Sequence, residues 1–189
     1  MKIGILALQG DFDAHRRRLA ELGAEPVLVR KPEQFDGLDG LIIPGGESSV
    51  FLNLLGENGV QKLSEFVFNN PVFGTCAGCI LLAREVENPP QQGIGALDIT
   101  VRRNAYGRQI DSTILEGPTT LPGGPLEQVY IRAPRIERAG PEVEVLASRD
   151  GHPVLIRQGK LMAATFHPEL SQDTRVHAAF LNLVEQHRK

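Results

Sequence analysis

Pro71-Val72-Phe73-Gly74-Thr75-Cys76-Ala77-Gly78-Cys79-Ile80-Leu81-Leu82-Ala83-Arg84-Glu85 is the stretch whose reading decides the architecture. A short apolar run ends in glycine, a cysteine follows, and a second glycine opens a helix-forming segment rich in leucine and alanine. The pattern reads as strand, sharp turn, helix. In that geometry a nucleophile sits at the tip of the turn, and the flanking glycines let the backbone bend and the two elements pack. Cys76 then points into a cleft. Free N–H groups at the helix start favour a thiolate and, later, an oxyanion. The alternative for Cys76 alone is a buried small hydrophobe, a common fate of free cysteine.

A second stretch bears on that choice. Leu161-Met162-Ala163-Ala164-Thr165-Phe166 reads as a buried strand running directly into His167-Pro168-Glu169. Pro168 disfavours the helical region for His167 and keeps the segment extended, so residues 167 and 169 project to the same side. Cysteine, histidine and carboxylate are the set a thiol nucleophile needs: a proton partner, and a group that orients that partner.

Working outward, residues 2 to 8 form a nearly continuous apolar run, as expected for a parallel strand buried on both faces. Asp11 can cap a helix through Leu22, Gly23 stops it, and Val27-Leu28-Val29 gives the next strand. Gly40-Leu41-Ile42-Ile43 is a third strand, running into Pro44-Gly45-Gly46. Helices are predicted from Ser48 or Ser49 through Leu55 and from Val60 to Asn69. Strands alternating with helices predict an α/β fold, a three-layer sandwich around a mostly parallel central sheet, with ligands beyond the strands' carboxyl ends. The second half adds strand-like segments at 97–103, 110–116, 128–131, 142–147 and 153–157, separated by Gly, Pro and Asn, as for antiparallel strands. Val176, Ala179, Phe180, Leu183 and Val184 recur at helical spacing, so 173–186 is a closing amphipathic helix. Residues 87–95 and 117–125 read as loops.

The 189 residues suit one domain, 1–189, large enough for a real core. Charge is nearly balanced, 20 Lys plus Arg against 23 Asp plus Glu, which gives no electrostatic case for nucleic acid. His15-Arg16-Arg17-Arg18 is the one basic run, on a predicted helix; it reads as a solvated face or a docking surface. Two cysteines, no signal-like start and no membrane-length apolar stretch point to the cytoplasm, away from membranes. The cysteines and the five scattered histidines show no zinc-ligand spacing, and there is no P-loop, so neither metal nor cofactor is expected.

Gly74-Thr75-Cys76-Ala77-Gly78 with the late His167-Pro168-Glu169 resembles the class I, triad-type glutamine amidotransferases. Leu8-Gln9-Gly10, Pro44-Gly45-Gly46-Glu47-Ser48-Ser49, Arg103-Asn104-Ala105-Tyr106-Gly107-Arg108-Gln109 and Ile131-Arg132-Ala133-Pro134 extend the likeness over nearly the whole chain. Together they look like the glutaminase subunits of pyridoxal 5'-phosphate synthase. The resemblance implies hydrolysis of the L-glutamine side-chain amide through a cysteine thioester. Ammonia would pass to a separate synthase subunit in a hetero-oligomeric complex that makes vitamin B6. It also implies Cys76, His167 and Glu169 as the triad, Gly46, Glu47 and Ser48 as substrate contacts, and the Gly46 region and Ala77 N–H as oxyanion donors.

Arg103 and Arg132 can each be a surface cation or a fork for the α-carboxylate of glutamine. The family has a glutamine-site arginine at the position matching Arg103, and it uses the Ile131-Arg132 pair. Leu8-Gln9-Gly10 and the helix with Arg16 to Arg18 are docking candidates. Two residues depart from relatives. Cys79 stands at a usually apolar position and creates Cys76-x-x-Cys79, the spacing of thiol oxidoreductases. Ile80 stands where many class I glutaminases have glutamine, which agrees with the B6 branch. A glutaminase of another pathway, another cysteine hydrolase and a silent regulatory scaffold are the remaining alternatives.

Overall fold

A computed structural model describes residues 1–105 and 112–188. Chain order begins β1 (Lys2–Leu6), α1 (Phe12–Glu21), β2 (Glu25–Val29), β3 (Gly40–Ile43), α2 (Ser48–Asn69), β4 (Val72–Thr75) and α3 (Ala77–Leu82). It continues through β5 (Ala83–Glu87), β6 (Leu97–Arg102), β7 (Ser112–Gly117), β8 (Leu126–Ile131) and β9 (Arg135–Ala139). The hairpin of β10 (Glu144–Arg149) and β11 (His152–Gln158), then β12 (Leu161–Ala164) and α4 (Arg175–His187), complete it. The main sheet has the order β10-β11-β12-β4-β3-β1-β2. Its five strands from β12 to β2 are parallel, while β10 and β11 add an antiparallel edge.

Side chains alternate across a strand, and the two faces gather different partners. Leu41 and Ile43 pack with Phe51, Leu63 and Val67 of α2 and with Leu81 of α3. Ile42, Phe73 and Met162 pack instead with Leu19 of α1 and Val176, Phe180 and Val184 of α4. The three-layer sandwich expected from the sequence is the result. Beyond it lie a small sheet, β5-β6-β9, and the hairpin β7-β8.

Four details differ from expectation. The helix after Cys76 stops at Leu82, and Ala83–Glu87 pairs parallel to β6 as a strand. Burial of Ala83 and Val86 against Leu97, Ile99 and Val101 overrides the local helical preference. Arg135–Ala139, unassigned from sequence, pairs with β6 because Ile136 reaches the same core. The helices expected at 48–55 and 60–69 run on as α2, broken at Gly56 with φ 64° and ψ 176°. Pro168 does not keep its segment extended: Pro168–Leu170 forms a 3₁₀ turn, with Leu170 N–H donating to the His167 carbonyl. The start of the expected 110–116 strand and Tyr106 to Gln109 of the arginine motif lie outside the described residues.

Candidate active site

Four strand ends deliver the site. β4 leads to Cys76, β12 to His167, β3 to Gly45 and Gly46, and β1 to Gln9, all at the carboxyl edge of the parallel sheet. Cys76 has φ 47° and ψ −100°, the sharp turn expected between strand and helix. A Cβ on Gly74 would run into the backbone of Gly78, and one on Gly78 into the Ile43 carbonyl, so α3 lies directly on the sheet. Only glycine permits that approach. The Cys76 N–H donates to the Ala164 carbonyl at 2.8 Å, tying the end of β4 to β12, the strand that leads to His167. That N–H is therefore committed to the sheet.

His167 and Glu169 are buried side by side, with His167 Nδ1 2.8 Å from Glu169 Oε1. Nδ1 is thereby occupied, and Nε2 remains for the thiol. Burial opposes charge on the imidazole, but hydrogen bonds to Cys76 and Glu169 outweigh it and push His167 up to about 10. Burial pushes the Glu169 carboxyl up, while the His167 contact pulls it back. The arrangement therefore favours a protonated His167 imidazole beside the Glu169 carboxyl.

Cys76 and His167 line a cavity of about 350 Å³, a size suited to a small ligand. Gly46, Glu47, Ser48, Arg103, Ile131 and Arg132 all line it too. Ala77 and Glu169, by contrast, lie behind the wall. Arg103 Nη2 is 2.6 Å from Glu47 Oε1, and the Ser48 hydroxyl donates to Gln91 at 2.8 Å. Gln9 clamps the glycine loop at both ends of its amide, Nε2 donating to the Glu47 carbonyl at 2.5 Å and Oε1 accepting from the Glu47 N–H at 3.3 Å. Gly45 lies against the His167 ring so closely that a Cβ there would overlap it. Of five non-glycine residues with positive φ among the described residues, Cys76, Asn104 and Arg132 line this cavity, and strain of this kind concentrates where function requires it.

The sequence reading missed Asp11, Asn104 and Pro134 as lining residues, and it took Gln9 only as a docking candidate. It also misplaced His15 and Arg18. His15 is fully buried, bonded to Thr75 and His177, and Arg18 is buried against Gln172 and Glu21. Only Arg16 and Arg17 of that run form a solvated face. The signal was present: Asp11 and His15 are four apart, hence on one helix face, which turns toward the site.

Among the described residues, Asp11, His167 and Glu169 have the mutual spacing of a ligand set. His167 and Glu169 are already bonded to each other and Asp11 is exposed, so the group is the His167–Glu169 pair with a surface aspartate beside it. Cys79 has no exposure, does not line the cavity, and burial pushes its thiol far up, the opposite of a redox-active cysteine. Cys76 and Cys79 are both free thiols.

Residues 5–186 match the model of the SNO glutamine amidotransferase family. The chain belongs to that family. Among this amidotransferase's relatives is the pyridoxal 5'-phosphate synthase subunit PdxT of Koribacter versatilis, 68% identical over 184 residues, covering 97% of this chain and 96% of the relative. PdxT of Fervidobacterium nodosum is 47% identical, with full coverage of both chains. A crystal structure of a glutamine amidotransferase superposes with TM-score 0.90 at 45% identity, covering 97% of this chain and 98% of the other. The SNO-family chain thus shares both its sheet and its elbow region with an amidotransferase solved experimentally. No helix among the described residues is long and apolar enough to cross a membrane.

Proposed function

We propose that this chain is the glutaminase subunit of a pyridoxal 5'-phosphate synthase. It hydrolyses L-glutamine to L-glutamate and ammonia, and the ammonia passes to a separate synthase subunit for vitamin B6 biosynthesis. The observation that carries the reading is His167, lining with the strained Cys76 one cavity of amino-acid size and bonded on its other side to buried Glu169.

In the reaction, Cys76 Sγ attacks the side-chain carboxamide carbon of glutamine. The carbonyl π electrons move to oxygen, and the N–H groups of Ala77 and the Gly46 region stabilise the oxyanion. His167 holds the thiol proton and hands it to the departing amine, so the C–N bond breaks and ammonia leaves a thioester. Water attacks that thioester with His167 as base, and glutamate and free Cys76 result. Glu169 keeps the imidazole oriented and favours its charged form. Arg103 and Arg132 suit the α-carboxylate. Because Arg103 already faces the Glu47 carboxylate, a zwitterionic amino acid offers matching charges to both, its carboxylate to arginine and its ammonium to Glu47.

Residues 1–189 act as one domain in this reading, since both core layers draw on early and late strands. A free nucleophilic thiol suits the reducing cytoplasm. The deciding experiment measures glutamate and ammonia release from glutamine by the purified chain, alone and with a pyridoxal 5'-phosphate synthase partner. Release that depends on Cys76 is the expected result; none under either condition would overturn the reading.

A further inference from the structure

Behind Glu169, on the side away from the cavity, a second chain of buried polar groups continues inward. Glu169 Oε1 is held by His167, but Oε2 is buried and lacks a hydrogen-bond partner. His15 Nε2 on α1 lies 3.4 Å from it, with neither side chain exposed. The same Nε2 lies 3.2 Å from Thr75 Oγ1, on the residue before the nucleophile. His15 Nδ1 is 3.0 Å from His177 Nε2 on α4. Two histidines far apart in sequence thus stack behind the triad in the apolar core with Phe73 against both rings.

We propose that His15 is a positioning residue for the triad, presenting Nε2–H to Glu169 Oε2 and the Thr75 hydroxyl, with His177 holding it in the tautomer that makes this possible. The inference rests on the triad roles proposed above. Both rings are neutral: burial, then the charges of His177 and His167, drive His15 well below the ordinary histidine value, and burial and Arg18 bring His177 down to about 3. Each ring therefore carries one N–H. If His15 carried it on Nδ1, a lone pair would face the Glu169 carboxylate across 3.4 Å, and His177 would have to bury an N–H on Nδ1, which has no partner. With Nε2–H on both rings, His177 donates to His15 Nδ1, His15 donates toward Glu169 and Thr75, and only an acceptor is left unpaired. The charged and titratable groups facing this array are Asp11 just before α1, Arg18 on α1, Cys76 from the elbow, His167 and Glu169 at the start of the 3₁₀ turn, and His177 from α4.

A donor at Oε2 stabilises the Glu169 anion where burial opposes it, and the anion in turn stabilises the His167 imidazolium that accompanies the thiolate. Removing the donor moves thiolate formation to higher pH. Two measurements test this, neither needing glutamine. In the first, ¹⁵N NMR of the histidine-labelled wild-type chain between pH 5.5 and 8 reads the His15 tautomer. A neutral ring with Nε2–H is expected; Nδ1–H or an imidazolium overturns the proposal, whatever the variants do. In the second, the rate of Cys76 alkylation by iodoacetamide is followed against pH. For His15→Phe, which fills the space without a donor, the midpoint should rise by about one pH unit, roughly tenfold slower alkylation on the acid side. His15→Gln, which restores an N–H, should stay near wild type. An unmoved midpoint in folded His15→Phe, or equal shifts in both variants, reduces His15 to packing. Wild-type chain with the expected tautomer and shift but no glutamine turnover would instead fault the reaction assigned above.

Discussion

A thiol acts as a nucleophile when its proton has somewhere to go, and Cys76 and Cys79 differ in that respect although only two residues separate them. Cys76 lines the cavity together with His167, whereas Cys79 is sealed in the core. Cys76→Ala should therefore abolish glutamine turnover with an unchanged circular dichroism spectrum. Cys79→Ala should keep most activity and lose about 1 kcal/mol of stability in a urea titration, the cost of a small buried void. His167→Asn removes the proton carrier itself and should lower kcat by about 10³-fold or more, while Glu169→Gln should cost at least tenfold less, measured on the same ammonia assay. The buried histidines also predict a pH dependence. His177 has a folded value depressed to about 3, so as pH falls below its unfolded value near 6.5 the unfolded chain takes up a proton the folded chain refuses. Stability is full above that point and is lost progressively from about pH 6.5 toward 3, by about 2 kcal/mol between pH 7 and 5 for this group alone. His177→Leu should flatten that part of the slope in denaturant midpoints at the two pH values. The proposed triad was legible because each member sits in a local pattern: a cysteine between glycines after a strand, and His-Pro-Glu after another. His15 and His177 were not, since their contact joins residues 162 apart in sequence, and a histidine beside three arginines reads as a basic face.

At the scale of elements, glycine backbone geometry sets the elbow and the bend in α2, for different reasons. Gly56 has open space around its missing Cβ but a conformation that side chains resist. Gly56→Ala should thus cost about 1–3 kcal/mol from backbone strain alone, with kcat unchanged. Gly78 is the reverse case, in unremarkable backbone but pressed on the Ile43 carbonyl. Gly78→Ala would push α3 off β3 and carry Cys76 with it, so stability in urea and the rate of Cys76 alkylation should fall together. A Gly78→Ala chain with normal alkylation would mean that α3 can shift without moving the nucleophile. The parallel strands were readable as apolar runs, and the α2 helices from their turn and periodicity. Strands β5 and β9 were not, because their residues acquire a strand's environment only once β6 lies between them. Propensity at Ala83–Glu87 favoured continuing the helix, and tertiary pairing decided otherwise.

For the molecule as a whole, the site is built from four strand ends that meet at one edge of the sheet, and the loops there are already tied to one another. Gln9 clamps Glu47, Glu47 holds Arg103, and Gly46 has φ 137°, a conformation open to glycine. Substrate must displace or share the Glu47–Arg103 pair to reach Arg103. An oxyanion donor in the Gly46 region depends on how that peptide is turned, and glycine lets it turn at low cost. A partner that docks beside Gln9 and the exposed Arg16 and Arg17 can therefore bias the loop without touching Cys76. There is a chemical reason for such control: free ammonia is mostly protonated near neutral pH and diffuses away, so hydrolysis uncoupled from the synthase wastes glutamine. The isolated chain should turn over glutamine slowly, and saturating synthase should raise kcat at least tenfold, an effect of about 1.4 kcal/mol on the barrier. Gln9→Ala, which releases the clamp, should raise the basal rate of the isolated chain and shrink the stimulation. Steady-state ammonia release with and without synthase, beside a direct binding measurement, reads all three. Equal turnover in the presence of a synthase that demonstrably binds would refute control through the loop. Stimulation that survives intact in Gln9→Ala would move the control away from this clamp to another part of the docking face.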